Sequence, residues 1–417
     1  MINVKRKLKI QYYLVLEFFV KQQTNNKIIE ARLEQYRIKL LKNSELIKSE
    51  TKIEELIRSM VNCTLQPWRK KYQYWLICDI ALIILDESLI RNASKEMMKY
   101  MSLRQQQQVE ILINALVDEN IDISKFKISK EMLDQYRKNK EFAEQPLHKF
   151  ILTANMSAGK STLINAFIGK PIARTSQEVC TSNICYLYNK AFEDEQINLE
   201  NNSLSIDASN KELSDFNWNL KTSISSYFCG TEKSNKRICF IDTPGVNSAI
   251  NIEHGRISRE ALKQELYDKV IYVLNANKLG TDEEINHIKW ISENISKDKV
   301  IFVLNKLDDY KKADDDISSS VEGVKEDLRR LGFEKPIVCP ISAYFGLLIK
   351  MKANNENMTD DEKDEYMYYL KKFNKSEYDL SRYYDDIYED SDDNEIVSMS
   401  KKCGLYGLEK ILLGGAK

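Results

Sequence analysis

Four short motifs in a fixed order, each at the carboxyl end of an apolar run, limit what this chain can fold into more than any other feature. Residues 150–153 lead into Ala-Asn-Met-Ser-Ala-Gly-Lys-Ser at 154–161. Residues 237–241 lead into Asp-Thr-Pro-Gly at 242–245, residues 299–304 into Asn-Lys-Leu-Asp at 305–308, and residues 336–339 into Ser342-Ala343. Two more β-branched or aromatic runs stand at 184–188 and 269–274. Helical spacings at 159–167, 211–227, 256–266, 282–296 and 321–331 separate the runs. This alternation predicts a mostly parallel sheet with helices on both faces. Ligands of such sheets bind beyond the carboxyl ends of the strands, where all four motifs fall.

The first motif has the make-up of a phosphate cradle. A tight loop running into a helix aims backbone N–H groups and the positive end of the helix dipole at an anion. The expected contacts are Asn155, Met156, Ala158, Gly159, Lys160, Ser161 and Thr162. Gly159 admits close approach, Lys160 would bridge the β- and γ-phosphates, and Ser161 would ligate Mg²⁺. The motif normally opens on glycine and here opens on Ala154. Asp242 would hold the metal through water, and the Gly245 N–H would sense the γ-phosphate. At Asp308 a carboxylate would accept from N1–H and the 2-amino group of guanine, a donor pair that adenine lacks. Lys306 would lie along the base, Asn305 would brace its loop, and Ser342-Ala343 would offer a backbone contact to O6. A further metal ligand must be a threonine ahead of the strand near 184: Thr181 is the choice and Thr175 the alternative. The expectation is therefore an α/β P-loop GTPase domain over 146–350 that binds GTP or GDP with Mg²⁺. Ser161, Thr181 and Asp242 would be its metal ligands, and Lys160, Ser157 and Thr181 its catalytic groups.

The flanks read differently. Residues 1–145 contain no glycine and only Pro67, with apolar residues at helical spacing, which predicts an all-α helical domain. Within it, 75–116 reads as paired helices broken and capped near 92–94, and an unclassified bundle or neck is the preferred reading. Residues 351–400 are rich in Asp, Glu, Tyr, Asn and Ser, and 355–395 reads as an acidic, partly disordered insertion. A last helix is expected within 401–417. The net charge of -1 argues against a nucleic-acid partner. Eight scattered cysteines without a C-x-x-C pair read as reduced thiols of a cytoplasmic protein, and three dispersed histidines exclude a zinc cluster. No membrane span is expected. Residues 1–20, basic and then apolar, read as a packed helix or strand, with an interfacial membrane helix as the alternative.

Residues 157–166 (S-A-G-K-S-T-L-I-N-A), 169–172 (G-K-P-I), 179–182 (V-C-T-S) and 275–285 (N-A-N-K-L-G-T-D-E-E-I) resemble the dynamin superfamily, bacterial dynamin-like proteins in particular. The resemblance covers about residues 148–350. It implies a GTPase with slow basal turnover that forms a homodimer through its nucleotide face and is stimulated by doing so. It also implies membrane remodelling or tethering as a peripheral membrane protein, and a possible second dynamin-like subunit. Two features depart from the family pattern. Met156 stands where dynamin carries a catalytic glutamine, and no glutamine follows Gly245. The helical mass precedes the domain, whereas a dynamin stalk follows it. The first departure leaves open a GTP-gated binding or regulatory module with little hydrolysis.

Overall fold

The computed structural model describes residues 4–42, 52–62, 70–118, 120–122, 124–173, 184–201, 203–215, 221–229, 236–245, 252–311, 316–388 and 394–414. Internal contacts divide the chain into two compact units, 1–145 with 204–207, and 146–203 with 208–417.

The first unit is helical. Its elements are α1 (Val4–Lys21), α2 (Lys27–Leu41), α3 (Ile53–Val61), α4 (Lys70–Ile84), α5 (Glu87–Met98), α6 (Leu103–Val117) and α7 (Lys130–Glu144). α1 inserts Tyr12, Tyr13, Val15, Leu16, Phe19 and Val20 into the core, so its apolar face is a packing face and the interfacial alternative does not hold. Helix α4 lies at the centre: Leu76, Ile77, Cys78, Ile80 and Ala81 are all fully buried. Its Asp79, 6% exposed, accepts hydrogen bonds from Tyr12 Oη (2.5 Å) and Tyr36 Oη (2.6 Å), which ties α1 and α2 to α4. Burial nonetheless pushes this carboxyl up to about 6. The break expected at 92–94 is absent, because α5 runs through it and buries Ala93 and Ser94. The chain turns instead at Leu85, in a left-handed conformation, and Asp86 caps α5 by accepting from the Leu89 N–H.

The second unit is built on a sheet. Its strands are β1 (Leu147–Ala154), β2 (Cys185–Asn189), β3 (Asn198–Glu200), β5 (Thr222–Ser226), β6 (Arg237–Asp242), β7 (Lys269–Asn275), β8 (Val300–Asn305) and β9 (Ile337–Pro340), in the order β3-β5-β2-β6-β1-β7-β8-β9; β4 (Leu204–Ser205) falls in the segment grouped with the first unit. β6, β1, β7, β8 and β9 run parallel, whereas β2 is antiparallel to β6. Successive residues of β7 and β8 are buried, the pattern of central parallel strands covered on both faces. The helices of this unit are α8 (Lys160–Ile168), α9 (Asn210–Asp215), α10 (Ile252–Lys263), α11 (Asp282–Asn294), α12 (Ile317–Arg330), α13 (Ala343–Ala353), α14 (Asp360–Phe373), α15 (Glu395–Lys402) and α16 (Leu405–Leu413). The helix expected over 211–227 is a correction: among the described residues α9 is the helix there, and 222–226 is a strand with Thr222, Ile224 and Ser226 buried.

The expected acidic insertion is a second correction. Tyr366, Tyr369, Leu370 and Phe373 form an i, i+3, i+4, i+7 stripe along α14, packed on the domain core, and Phe373 stacks on Phe345 with centroids 5.1 Å apart. A capping box of Thr359 and Glu362 starts this helix. Beyond it, Leu380 and Tyr384 are buried, and Tyr384 Oη donates to Pro340 O at the end of β9. A buried ion pair joins Lys350 of α13 to Glu409 of α16, and Lys350 Nζ also donates to Phe167 O in the last turn of α8 (3.3 Å). Among the described residues, no helix is long and apolar enough to cross a membrane.

Candidate functional site

The site assembles where β1, β6, β7 and β8 end. β1 delivers the loop 155–159, in which Ser157 (φ 62°) and Gly159 (φ 89°) take left-handed conformations before α8 begins at Lys160. Glycine is required at 159 on two counts: the positive φ, and an added Cβ would lie 2.3 Å from Asn305 Nδ2. Lys160 Nζ is ion-paired with Asp242 Oδ1 at the end of β6, and both side chains are largely buried. Ser161 and Thr162 occupy the first turn of α8. Gly245 lies over the loop: a Cβ there would meet Met156 Cγ at 3.3 Å, so the Met156 side chain faces Gly245.

Two asparagines lock the loop from the neighbouring strands. Asn275 and Asn305 are partners in register at the ends of β7 and β8. Asn275 Nδ2 donates to Ser157 O (3.3 Å) and Asn305 Nδ2 to Ala158 O (3.0 Å). Asn305 Oδ1 in turn accepts from the Ala343 N–H (3.0 Å), so one side chain connects the first, third and fourth motifs. Sequence reasoning finds the bracing role of Asn305 and misses Asn275. The available signal is an amide residue closing two adjacent apolar strands.

Lys306 adopts φ 70° and turns the chain so that Asp308 lies under Ser342, whose Oγ donates to Asp308 Oδ1 (2.7 Å). Asp308 is 8% exposed, and desolvation pushes its carboxyl above the ordinary carboxylate range, with the Ser342 bond opposing that shift. Ser342 also caps α13 by accepting from the Phe345 N–H (3.2 Å). Behind the phosphate loop runs a buried hydroxyl chain: Ser258 Oγ donates to Thr243 Oγ1 (3.2 Å), and Thr243 Oγ1 donates to Leu152 O (2.7 Å). Thr153 Oγ1 contacts His287 Nε2 at 3.1 Å, and burial together with Arg259 pushes this imidazole down to about 3, so it stays neutral. Of the expected residues, Thr181 and Thr175 lie outside the described residues, as do Val246 and Asn247. The rest lie on the loops and helix starts beyond the carboxyl ends of β1, β6, β8 and β9.

Part of the chain is similar to known proteins. Residues 151–307 match the model of the dynamin family. A probable transmembrane GTPase, FZO-like and chloroplastic, from Arabidopsis thaliana is 24% identical over 223 residues, which are 51% of this chain and 21% of that protein. The chain thus spans about a fifth of the length of the curated relative it matches. Among solved structures, a variant of Era from Aquifex aeolicus bound to GDP·AlF4⁻ aligns at 18% identity and TM-score 0.29, over 51% of this chain and 58% of that one. Toc33 from Arabidopsis thaliana with Mg²⁺ and GMPPNP aligns at 15% identity and TM-score 0.31, over 50% and 79%. The stretch that carries the phosphate loop, residues 151–307, is thus similar to the dynamin family.

Proposed function

We propose that this domain binds Mg²⁺-associated GTP in preference to its adenine counterpart and hydrolyses it. One observation carries the reading: Asp308 is buried and oriented by Ser342, on a loop already joined to the phosphate loop through Asn305. A guanine N1–H and 2-amino pair is what such a carboxylate is built to accept. Lys160 would leave Asp242 for the β- and γ-phosphates, and the N–H groups at the start of α8 would stabilise the charge that develops on the transferred phosphoryl group. Ser161 and Asp242 are hard oxygen donors that suit Mg²⁺, which neutralises phosphate charge when bound. Ser157, Thr181 or a partner chain would position water. Self-association through the nucleotide face and action at a membrane belong to the same reading, supported by the family match.

Phosphate release at saturating GTP, followed as protein concentration rises, tests it. The expected outcome is a rate per molecule that climbs with concentration and is abolished in Lys160→Ala. A flat rate that the substitution leaves intact removes the hydrolytic reading. Co-sedimentation with anionic vesicles, with and without a non-hydrolysable GTP analogue, tests the membrane part.

A second reading is favoured by Met156, whose thioether neither gives nor takes a proton where dynamin carries glutamine. In it the domain is a GTP-gated binding module that works with a partner protein. Its signature is tight GTP binding with negligible phosphate release at every protein concentration.

A further inference from the structure

The loop that carries Asp308 is held from a direction outside the four motifs. Lys372, in the last turn of α14, is 7% exposed, and its Nζ donates to Asp308 O and to Tyr310 O, each at 2.5 Å. Its ammonium also lies 4.6 Å from the centroid of the Tyr378 ring. Tyr310 is itself fixed, its Oη lying within hydrogen-bond distance of Ala276 O (3.3 Å) and Ser320 Oγ (3.0 Å). A buried ammonium needs acceptors, and here they are main-chain carbonyls on either side of Asp309, immediately behind the carboxylate that faces the base. The cation is anchored by the stripe of α14 that packs on Phe345, so its position is set by a helix and not by a flexible tail.

We propose that Lys372 is a positioning residue for base recognition: by clamping the carbonyls of Asp308 and Tyr310 it fixes where the Asp308 carboxylate stands and so sets the preference for guanine. The inference rests on the guanine-binding reading above. α14 is thereby part of the nucleotide site although it lies outside the stretch that matches the family model. Without the clamp, the turn between Lys306 and Tyr310 loses the two bonds that α14 gives it, while Ser342 still holds one oxygen of the Asp308 carboxylate. The bond to the 2-amino group, which depends on the placement of one carboxylate oxygen, is the first to go.

The experiment measures dissociation constants for GDP and for inosine diphosphate, which lacks the 2-amino group, in the full chain and in Lys372→Met and Lys372→Arg. Wild type is expected to favour GDP. Lys372→Met keeps the aliphatic stem and is expected to weaken GDP by about tenfold, while inosine diphosphate changes little. The ratio between the two therefore falls towards one. Lys372→Arg, which keeps the donors, restores at least part of the ratio. A helix clamp without a role in recognition would lower the melting temperature and leave the ratio unchanged, and that result in a folded Lys372→Met overturns the proposal. Should that variant not fold, the same ratio is measured in Lys372→Gln, where a fallen ratio supports the clamp and an unchanged one overturns it. A wild type that binds both nucleotides equally overturns the role of Lys372, whereas a wild type that binds ADP as tightly as GDP overturns the guanine reading itself.

Discussion

The two ends of the candidate site are built on opposite plans. At the base end Asn305 and Asp308 already hold the partners that support their working positions: Asn305 spans Ala158 and Ala343, and Ser342 orients Asp308. At the phosphate end the two charges that a nucleotide must separate, Lys160 and Asp242, are paired with each other. On the proposed reading, base selection is preorganised by folding, whereas phosphate capture would begin by breaking an ion pair in a largely buried place. The contrast teaches that selectivity and affinity would then be set by different residues and be open to separate attack.

The largest effect falls at the phosphate end. Lys160→Ala removes the phosphate ligand and strands the Asp242 carboxylate, 2% exposed, without its counter-charge. GTP affinity by calorimetry is expected to drop by more than about a hundredfold. A loss below about tenfold would mean that the lysine serves only Asp242. Next comes Asp308→Asn at the base end, where an amide donor would meet the donors of guanine. About a thirtyfold loss of GTP affinity is expected, with a gain for xanthosine triphosphate, which presents an oxygen at that position. Competition with a fluorescent nucleotide reads both. Asn305→Ala bridges the two plans, since it deprives Ala158 O and the Ala343 N–H of a partner at once. It should weaken GDP by about tenfold and lower stability by about 1–3 kcal/mol, measured by titration and by urea denaturation. An unchanged GDP affinity would show that the two loops are independent.

The smallest effect is that of pH. The Asp308 carboxyl is raised by desolvation, so on acidification it takes up a proton earlier than an exposed aspartate does. The protonated form no longer accepts both guanine donors, so GDP affinity is highest above this raised pKa and is lost as pH falls through it. A change of about twofold between pH 7 and 5 is expected, and it should vanish in Asp308→Asn.

Much of this arrangement is legible in the sequence, for physical reasons. β1, β6 and β8 are nearly continuous apolar runs towards their carboxyl ends because both faces are covered there. β5 escapes because Thr222-Ser-Ile-Ser-Ser offers one large apolar residue, and its buried positions 222 and 226 are small polar groups. The 351–400 region misleads because composition weighs all faces of a helix equally. Acidic residues on the solvent side of α14 outvote a four-residue stripe that needs only one side to pack. Lys372 is invisible for a related cause: nothing in a local pattern distinguishes a lysine whose acceptors are carbonyls 62 and 64 residues away. In the helical unit, periodicity locates the core, but the turn at Leu85 and Asp86 carries neither glycine nor proline to announce it.

The buried pair of Lys350 and Glu409 has a practical consequence. A fragment ending near residue 350, where the family motifs stop, would keep an ammonium pressed against the tail of the helix that starts at Lys160 while discarding the carboxylate that neutralises it. An ion abandoned in an apolar interior commonly costs several kcal/mol. Whoever trims this protein to the unit that carries the phosphate loop should therefore carry the segment through residue 413 along, or replace Lys350 by methionine in the same step.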